Sequence, residues 1–228
     1  MKDRPKIRLF NVINGILFIL ISIIMLIPIY KVLVDSFDLS SAYGMRLWPK
    51  QFGLAGYASV LSNPTLYRPL MISVGTTLAG TFLGLALSTL GAYVLIQWDM
   101  PGRTFFANFL LFTMIFNGGM VANYVVVANI LNLRNTIWCL ILPLAVSSFN
   151  IIIAKTFFKS TIPDSIVESA KIDGASEFTI FLKIIVPISK PVFATIGLFL
   201  SFGYWNDWFQ SSLYVSEKKL TSLQALLN

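Results

Sequence analysis

The chain has 228 residues, of which 56% are hydrophobic and 12% charged, with a net charge of +7 and a mean hydropathy of +0.77. Soluble domains carry about 25% charged residues, so this composition excludes an ordinary water-soluble fold, whereas a surface in contact with lipid needs no charge. The basic excess could suggest a nucleic-acid partner, but the basic residues lie between long apolar stretches and form no continuous basic face. We therefore predict an all-α integral membrane protein with no nucleic-acid partner.

Charge-free stretches long enough to cross the bilayer define the predicted spans. A helix needs about 20 apolar residues to cross about 30 Å of hydrocarbon. Such stretches cover residues 9–34, a segment within 69–98, one that begins near 104, then 135–154 and 191–215. The basic residues ahead of the first stretch resemble a signal peptide, but the apolar run is too long and lacks a small-residue cleavage site. The sequence thus predicts five spans.

Lysine and arginine set the predicted orientation, because they accumulate in cytoplasmic loops. The basic amino terminus is expected in the cytoplasm, which places residues 35–68 and the region of Arg134 outside. Residues 99–103 and 155–190 then lie inside. The second of these loops carries five lysines, in agreement with this orientation: Lys155, Lys159, Lys171, Lys183 and Lys190.

Two of the spans have distinctive small residues. The third is interrupted at residues 117–119, Asn-Gly-Gly, which predicts a helix broken there and a short following segment near the outer surface; a glycine kink made for packing is the alternative. The second span repeats small residues every four positions: Gly80, Gly84, Ser88 and Ala92. Because these share one helical face, we expect another helix to approach closely there.

The cytoplasmic loop contains a predicted helical hairpin over residues 161–187, TIPDSIVESAKIDGASEFTIFLKIIVP. Pro163 and Asp164 suit the first turn of a helix. Gly174 suits the left-handed residue that ends it. Ser176 is expected to cap a second helix, and Pro187 to mark the return into the membrane.

This hairpin resembles the cytoplasmic loop of binding-protein-dependent ABC importer permeases. The family pattern is Glu-Ala-Ala, three residues, Gly, nine residues, Ile, one residue, Leu-Pro. This chain matches the spacing of the pattern without a break. The matching residues are Glu168-Ser169-Ala170, Gly174, Ile184 and Val186-Pro187. Ser169 in place of alanine and Val186 in place of leucine are departures from the pattern. The carbohydrate-uptake branch, and its complex-oligosaccharide type, is further resembled at residues 116–119, 135–138, 142–143 and 203–208.

The resemblance implies a type I ABC importer permease bundle and a bacterial plasma-membrane location. It also implies a second homologous permease subunit, two ATPase subunits, an extracellular solute-binding protein and a carbohydrate substrate. ATP and Mg are expected on the ATPase, since this chain has no phosphate-binding glycine loop; no cofactor is expected here. Residues implied in ATPase coupling are Glu168, Ser169, Ala170, Asp173, Gly174 and Ser176. A solvated helix face is the alternative for Glu168 and Asp173.

Candidate residues for the substrate pathway are polar or aromatic positions within the spans: Asn117, Tyr124, Asn150, Tyr204, Trp205, Asn206 and Asp207. An ionisable residue in a span is a functional candidate by default. For Asp207, expected near the outer interface, anchoring or a subunit contact is the alternative. Interhelical hydrogen bonding is the alternative for Asn117, Tyr124 and Asn150.

The domain prediction is one permease domain over residues 1–228, with residues 155–190 as a coupling loop within it. Five spans would leave the last residues outside in what reads as a further helix, so we expect a sixth span after residue 228. A membrane-embedded hydrolase is disfavoured, because the chain has no histidine and offers no nucleophile paired with a base. The remaining alternatives are an ABC importer permease for a different solute and a channel or secondary transporter acting alone; no internal repeat supports the latter.

Overall fold

The computed structural model describes residues 5–39, 47–97, 99–116 and 118–228, with side chains from residue 10 onward. The chain divides into two compact units, Met1–Pro64 and Thr65–Asn228. In the first unit, α1 (Pro5–Ser36) is apolar on every side, and nearly all of its described side chains are exposed. A helix of this kind is stable only in an apolar medium or against an apolar partner.

A small cap follows α1 within the first unit. Asp38 pairs with Phe52 in an isolated antiparallel bridge, and the rings of Phe37 and Phe52 stack at 5.3 Å. The short helix α2 (Ala55–Leu61) is joined to the end of α1 by the Tyr57 hydroxyl, which donates to Ser36 Oγ at 2.8 Å. These contacts fix the chain where it leaves the first span.

The second unit is a helical bundle. Its helices in chain order are α3 (Pro64–Ile96), α4 (Arg103–Ile115), α5 (Gly119–Tyr124), α6 (Trp138–Ala145), α7 (Ser148–Thr161), α8 (Asp164–Ile172), α9 (Glu177–Ile180), α10 (Val186–Ile188), α11 (Lys190–Trp205), α12 (Phe209–Tyr214) and α13 (Leu223–Leu227). The π-helical segments Val125–Ile130 and Phe181–Ile185 continue α5 and join α9 to α10. Among the described residues, α1 and α3 are each long and apolar enough to cross a membrane, and counting each of three bent helix pairs as one span gives up to five.

The largest core lies where α3, α7, α9 and α11 meet. Its fully buried members include Ala92, Phe158, Ile180 and Ile196. The predicted small-residue face of α3 is confirmed, because Gly80, Gly84, Ser88 and Ala92 are all buried. A methyl group added at Gly80 would lie 2.3 Å from the ring of Tyr204, and one at Gly84 would lie 2.7 Å from the carbonyl oxygen of Ala145. Both glycines therefore permit a helix contact that any side chain would block.

Two predicted element boundaries are corrected. The fourth span was placed at 135–154, but it consists of α6 and α7, bent by 45°, and Asn135 lies before it in the left-handed conformation with φ 57°. The fifth was extended to 215, but α11 ends at Trp205, so Asp207 lies beyond the helix in a short break. Close to Pro187, the chain turns by 86° between Ile188 and Lys190, and the return into the membrane at Pro187 stays a prediction.

The predicted break in the third span is confirmed. Helix α4 ends at Ile115 and α5 begins at Gly119, whose φ is 81°. The interruption coincides with the Asn-Gly-Gly sequence from which it was predicted. Asn117 itself lies outside the described residues.

Candidate functional site

The loop between α7 and α11 forms the predicted hairpin. Its turn at Gly174, which we call the elbow, is a helix terminus whose last carbonyl groups are hydrogen-bonded. After α8, the amide of Gly174 donates to the carbonyl of Lys171 and the amide of Ala175 donates to the carbonyl of Ala170, both at 3.0 Å. This pair of bonds satisfies the last carbonyls of the helix and requires a left-handed residue between them. Gly174 supplies it with φ 77°. Ala170 and Ala175 pack against the main core, so the elbow is also anchored from below.

The second arm of the hairpin begins with a side-chain cap. Ser176 Oγ accepts a hydrogen bond from the amide of Thr179 at 3.3 Å, and Glu177 lies in the first turn of α9. The cap satisfies an amide that has no partner within the helix. The prediction that Ser176 starts the second helix is confirmed.

Lys171 lies between the two arms and ties both of them to the end of α3. Its ammonium group lies 2.8 Å from the carboxylate of Glu177 and 3.8 Å from that of Asp99. The same group donates to Gln97 Oε1 at 3.1 Å, and the Tyr93 hydroxyl donates to Glu177 Oε2 at 2.6 Å. The loop is therefore attached to the second span by a connected polar network, which we name the Lys171 cluster: Tyr93, Gln97, Asp99, Lys171 and Glu177.

The charge state of this cluster follows from its contacts. Hydrogen bonds from Lys171 and then from Tyr93 hold the pKa of the Glu177 carboxyl below its ordinary value. A carboxylate with a lowered pKa contributes stability when it is ionised. That contribution is present near neutral pH and is lost as the pH falls through the lowered value.

The remaining residues predicted for coupling lie on the hairpin surface. Glu168 and Ser169 on α8 are exposed, as are Asp173, which caps the end of α8, and Gly174. Ile172, next to them, is 86% exposed. Ala170 faces the core instead. The hairpin thus presents an acidic and apolar outer face on a firmly held base.

The predicted aromatic segment is split between the bundle interior and its surface. Tyr204 is buried, and its hydroxyl donates to the carbonyl of Ile141 at 2.6 Å. Trp205 is 39% exposed, and Asn206 Nδ2 donates to the carbonyl of Phe202 at 2.9 Å. Asp207 Oδ1 accepts from the amide of Gln210 at 3.3 Å, so this carboxylate caps α12.

The other predicted pathway residues are Asn117, Tyr124 and Asn150. Asn150 is buried in α7. The ring of Tyr124 stacks on that of Tyr214 at 5.7 Å, in the smaller core that also holds Val127 and Cys139. Asn117 is among the residues that the structure leaves undescribed. Tyr124 is therefore half-buried against Tyr214 and Asn150 is buried, and their role in the pathway stays a prediction.

An open cavity of about 250 Å³ lies beside the aromatic segment, lined by Thr77, Ser201, Phe202 and Trp205. Thr77 Oγ1 is inaccessible to solvent and has no hydrogen-bond partner among the described residues. The Ser201 hydroxyl beside the indole ring of Trp205 places a hydrogen-bonding group next to an apolar surface. Only Trp205 of this set was identified from the sequence.

No protein-family model matches the chain. Protein LplC of Bacillus subtilis (strain 168) is 39% identical over 223 residues, which cover 96% of this chain and 75% of LplC. The polygalacturonan/rhamnogalacturonan transport system permease protein YtcP of the same strain is 38% identical over 225 residues, covering 97% of this chain and 78% of YtcP. The chain belongs to the permease subunits of carbohydrate ABC importers. The permease is thus a multi-pass membrane protein, and its relatives are transport subunits rather than enzymes.

A solved structure supports the same family through its fold. The crystal structure of a bacterial ABC transporter involved in the import of the acidic polysaccharide alginate contains a chain similar to the permease. The TM-score is 0.89 at 26% identity, covering 100% of the permease and 81% of that chain. The predicted all-α permease bundle is confirmed. The expected sixth span and the assigned coupling and pathway residues stay predictions.

Sequence reasoning missed the residues that attach the loop to the permease bundle. Tyr93 lies in the last turn of α3, and Gln97 and Asp99 follow the helix, all more than 70 positions before Lys171. Polar residues are common where a span meets the membrane surface, so these three did not stand out in the sequence. The one available signal was Lys171 itself, a long cation at the centre of the matched pattern.

Proposed function

We propose that the permease moves an oligosaccharide into the cell by alternating access, coupled to ATP hydrolysis on a separate ATPase chain. The observation that carries this proposal is the hairpin of α8 and α9, which combines an exposed outer face with a base fixed to α3. A push on such a face is passed to the second span instead of being absorbed by a loose loop. Membership of the importer family supplies the direction and the substrate class.

In the proposed mechanism the outer face of the hairpin docks on the ATPase. Glu168, Ser169 and Ile172 offer the partner a carboxylate, a hydroxyl and an apolar side chain. Gly174 keeps the two arms at a fixed angle, and the Lys171 cluster transmits displacement to α3. ATP and Mg would be held by the ATPase, and this chain would bind no cofactor of its own.

The proposed assembly contains a second related permease, two ATPase subunits and an extracellular binding protein that delivers the sugar. Five or six spans do not readily enclose a path wide enough for a sugar, whereas two related bundles can enclose one between them. The amino terminus and the loop 155–190 would lie in the cytoplasm, since basic residues favour that side. The permease would reside in the bacterial plasma membrane.

On the substrate side, we propose that the cavity at Trp205 lines part of the route. Ser201, whose hydroxyl donates to the carbonyl of Leu198 at 3.0 Å, would accept a hydrogen bond from a sugar hydroxyl, and the exposed indole would lie against the apolar face of a sugar ring. Uronate-containing oligosaccharides are suitable first substrates, because the names of the relatives refer to polygalacturonan, rhamnogalacturonan and alginate.

The experiment is uptake of labelled oligosaccharides by the complete importer in proteoliposomes, comparing Trp205→Ala with Trp208→Ala. Trp208 is 46% exposed and packs edge-on against Phe209, but it does not line the cavity. We expect Trp205→Ala to raise the KM for uptake by about tenfold, since stacking on an aromatic ring contributes on the order of 1 kcal/mol or more, and Trp208→Ala to change it little. Equal kinetics for the two variants would remove the cavity from the route, and an absence of any carbohydrate uptake by the unsubstituted importer would contradict the proposed function itself.

A further inference from the structure

A groove with basic residues at its mouth lies between α4 and α7, at the end of the bundle that carries the hairpin. It consists of two adjoining cavities of about 500 Å³ and about 420 Å³. Both are lined by Leu95, Ala107, Lys155 and Lys159, so they form one continuous depression. Volumes of this size are within the range of about 300–1,000 Å³ that is usual for small-molecule sites.

The inner part of the groove is apolar. Leu110, Leu111 and Ile152 line the cavity there. Leu111 follows Arg103, the first residue of α4, by eight positions, which is about 12 Å along a helix at about 1.5 Å per residue. The groove therefore runs from the helix ends well into the zone where an apolar lining faces hydrocarbon.

The mouth of the groove is basic. Arg103, Lys155 and Lys159 line it, together with one carboxylate, that of Asp164. Lys155 and Lys159 form no ion pair within the described part of the chain. Lys159 lies in the last turn of α7, and Arg103 begins α4, so these cations are placed where helices meet the water interface. Even without Arg103, the two lysines outnumber the one carboxylate, which leaves the mouth suited to an anion.

We propose that this groove binds one phospholipid with an anionic headgroup, such as phosphatidylglycerol or cardiolipin. An acyl chain fits the apolar inner part, and the phosphate lies among the cations at the mouth. Basic pockets between spans at a membrane surface bind headgroups of this kind. A helix of another permease would have to place an acidic residue at the mouth, whereas an anionic lipid supplies both the apolar chain and the charge.

The proposal requires only that the chain spans a bilayer, and it does not depend on the route at Trp205. Its test is native mass spectrometry of the complete importer, purified in detergent and then exposed to equal amounts of phosphatidylglycerol and phosphatidylcholine. The test variant is Lys155→Gln combined with Lys159→Gln. The control is Lys183→Gln combined with Lys190→Gln, which removes two exposed lysines of the same loop that do not line the groove.

We expect the unsubstituted and control importers to retain phosphatidylglycerol in preference to phosphatidylcholine, and the test variant to retain at least about fivefold less of it. Ala107→Phe, which keeps every cation but fills the shared wall of the groove, should also reduce retention. An equal loss of phosphatidylglycerol from the test and control variants would rule out this site. So would equal retention of both lipids, unchanged retention in Ala107→Phe, or a cross-link from the groove to a second permease helix in the assembled importer.

Discussion

Lys171 is the residue through which the hairpin is attached to the bundle. Replacement by methionine keeps the length of the side chain but removes the ion pair with Glu177 and the bond to Gln97. Because the pair is partly exposed, we expect a loss of only about 1 kcal/mol in local stability, with normal insertion and fewer sugars carried per ATP hydrolysed. The measurement is paired uptake and ATPase rates in proteoliposomes. Lys183→Met, an exposed lysine elsewhere in the loop, is the control; an unchanged ratio for Lys171→Met would argue against transmission through this residue.

Gly80 is important because it has no side chain. Alanine at this position would place a methyl group 2.3 Å from the ring of Tyr204, and that ring is held by its bond to Ile141. Overpacking of this kind costs about 1–3 kcal/mol, so we expect Gly80→Ala to lower the Tm of the purified importer. Gly75→Ala in the same helix meets nothing within 4 Å and should leave the Tm unchanged or raise it slightly. A similar Tm for both variants would show that α3 and α11 can separate without loss.

Among the elements, the hairpin depends on its elbow more than on the strength of its helices. The helix α8 has nine residues, too few to be stable alone in water, so its ends and its packing hold it. Valine at Gly174 would have to adopt the left-handed conformation, at a cost of about 1–2 kcal/mol. We predict that Gly174→Val inserts normally but uncouples ATP hydrolysis from uptake in vesicles.

The matched control at this position is Gly174→Asn, because asparagine tolerates the left-handed conformation. We expect it to retain most of the coupling that valine loses. A Cβ atom added at Gly174 would have no described atom within 4 Å, so we expect a difference between the variants to report backbone conformation. If both variants couple equally well, the elbow is not the reason for glycine here.

At the scale of the whole molecule, the orientation prediction can be tested with single cysteines. Cys139, the one cysteine of the chain, is buried and can be replaced by alanine to give the background. Ser165→Cys on α8 and Lys218→Cys after α12 are both exposed positions. In intact cells we expect a membrane-impermeant maleimide to label position 218 but not position 165, and permeabilisation to expose both. Labelling of position 165 before permeabilisation would reverse the proposed topology.

The sequence alone determined that the chain is a membrane protein, the approximate positions of the spans, and the hairpin with its elbow at Gly174. These follow from local physical rules: an apolar run of sufficient length spans lipid, a left-handed glycine ends a helix, and a serine caps one. The same rules misplaced the end of the fifth span, because apolar and aromatic residues continue past Trp205 although the helix stops there. Asp207 was consequently placed inside a span that ends before it.

Only the tertiary structure decided which polar residues meet one another. Tyr93 and Glu177 are 84 positions apart and share a hydrogen bond, and the Tyr204 hydroxyl is bonded to the carbonyl of Ile141, 63 positions earlier. The groove at Lys155 and Lys159 likewise exists only because the carboxyl-terminal ends of α3 and α7 lie beside the start of α4. Hydrophobic pattern and helix caps act within a few residues of the chain, whereas these contacts depend on how separate helices pack, which no local signal specifies.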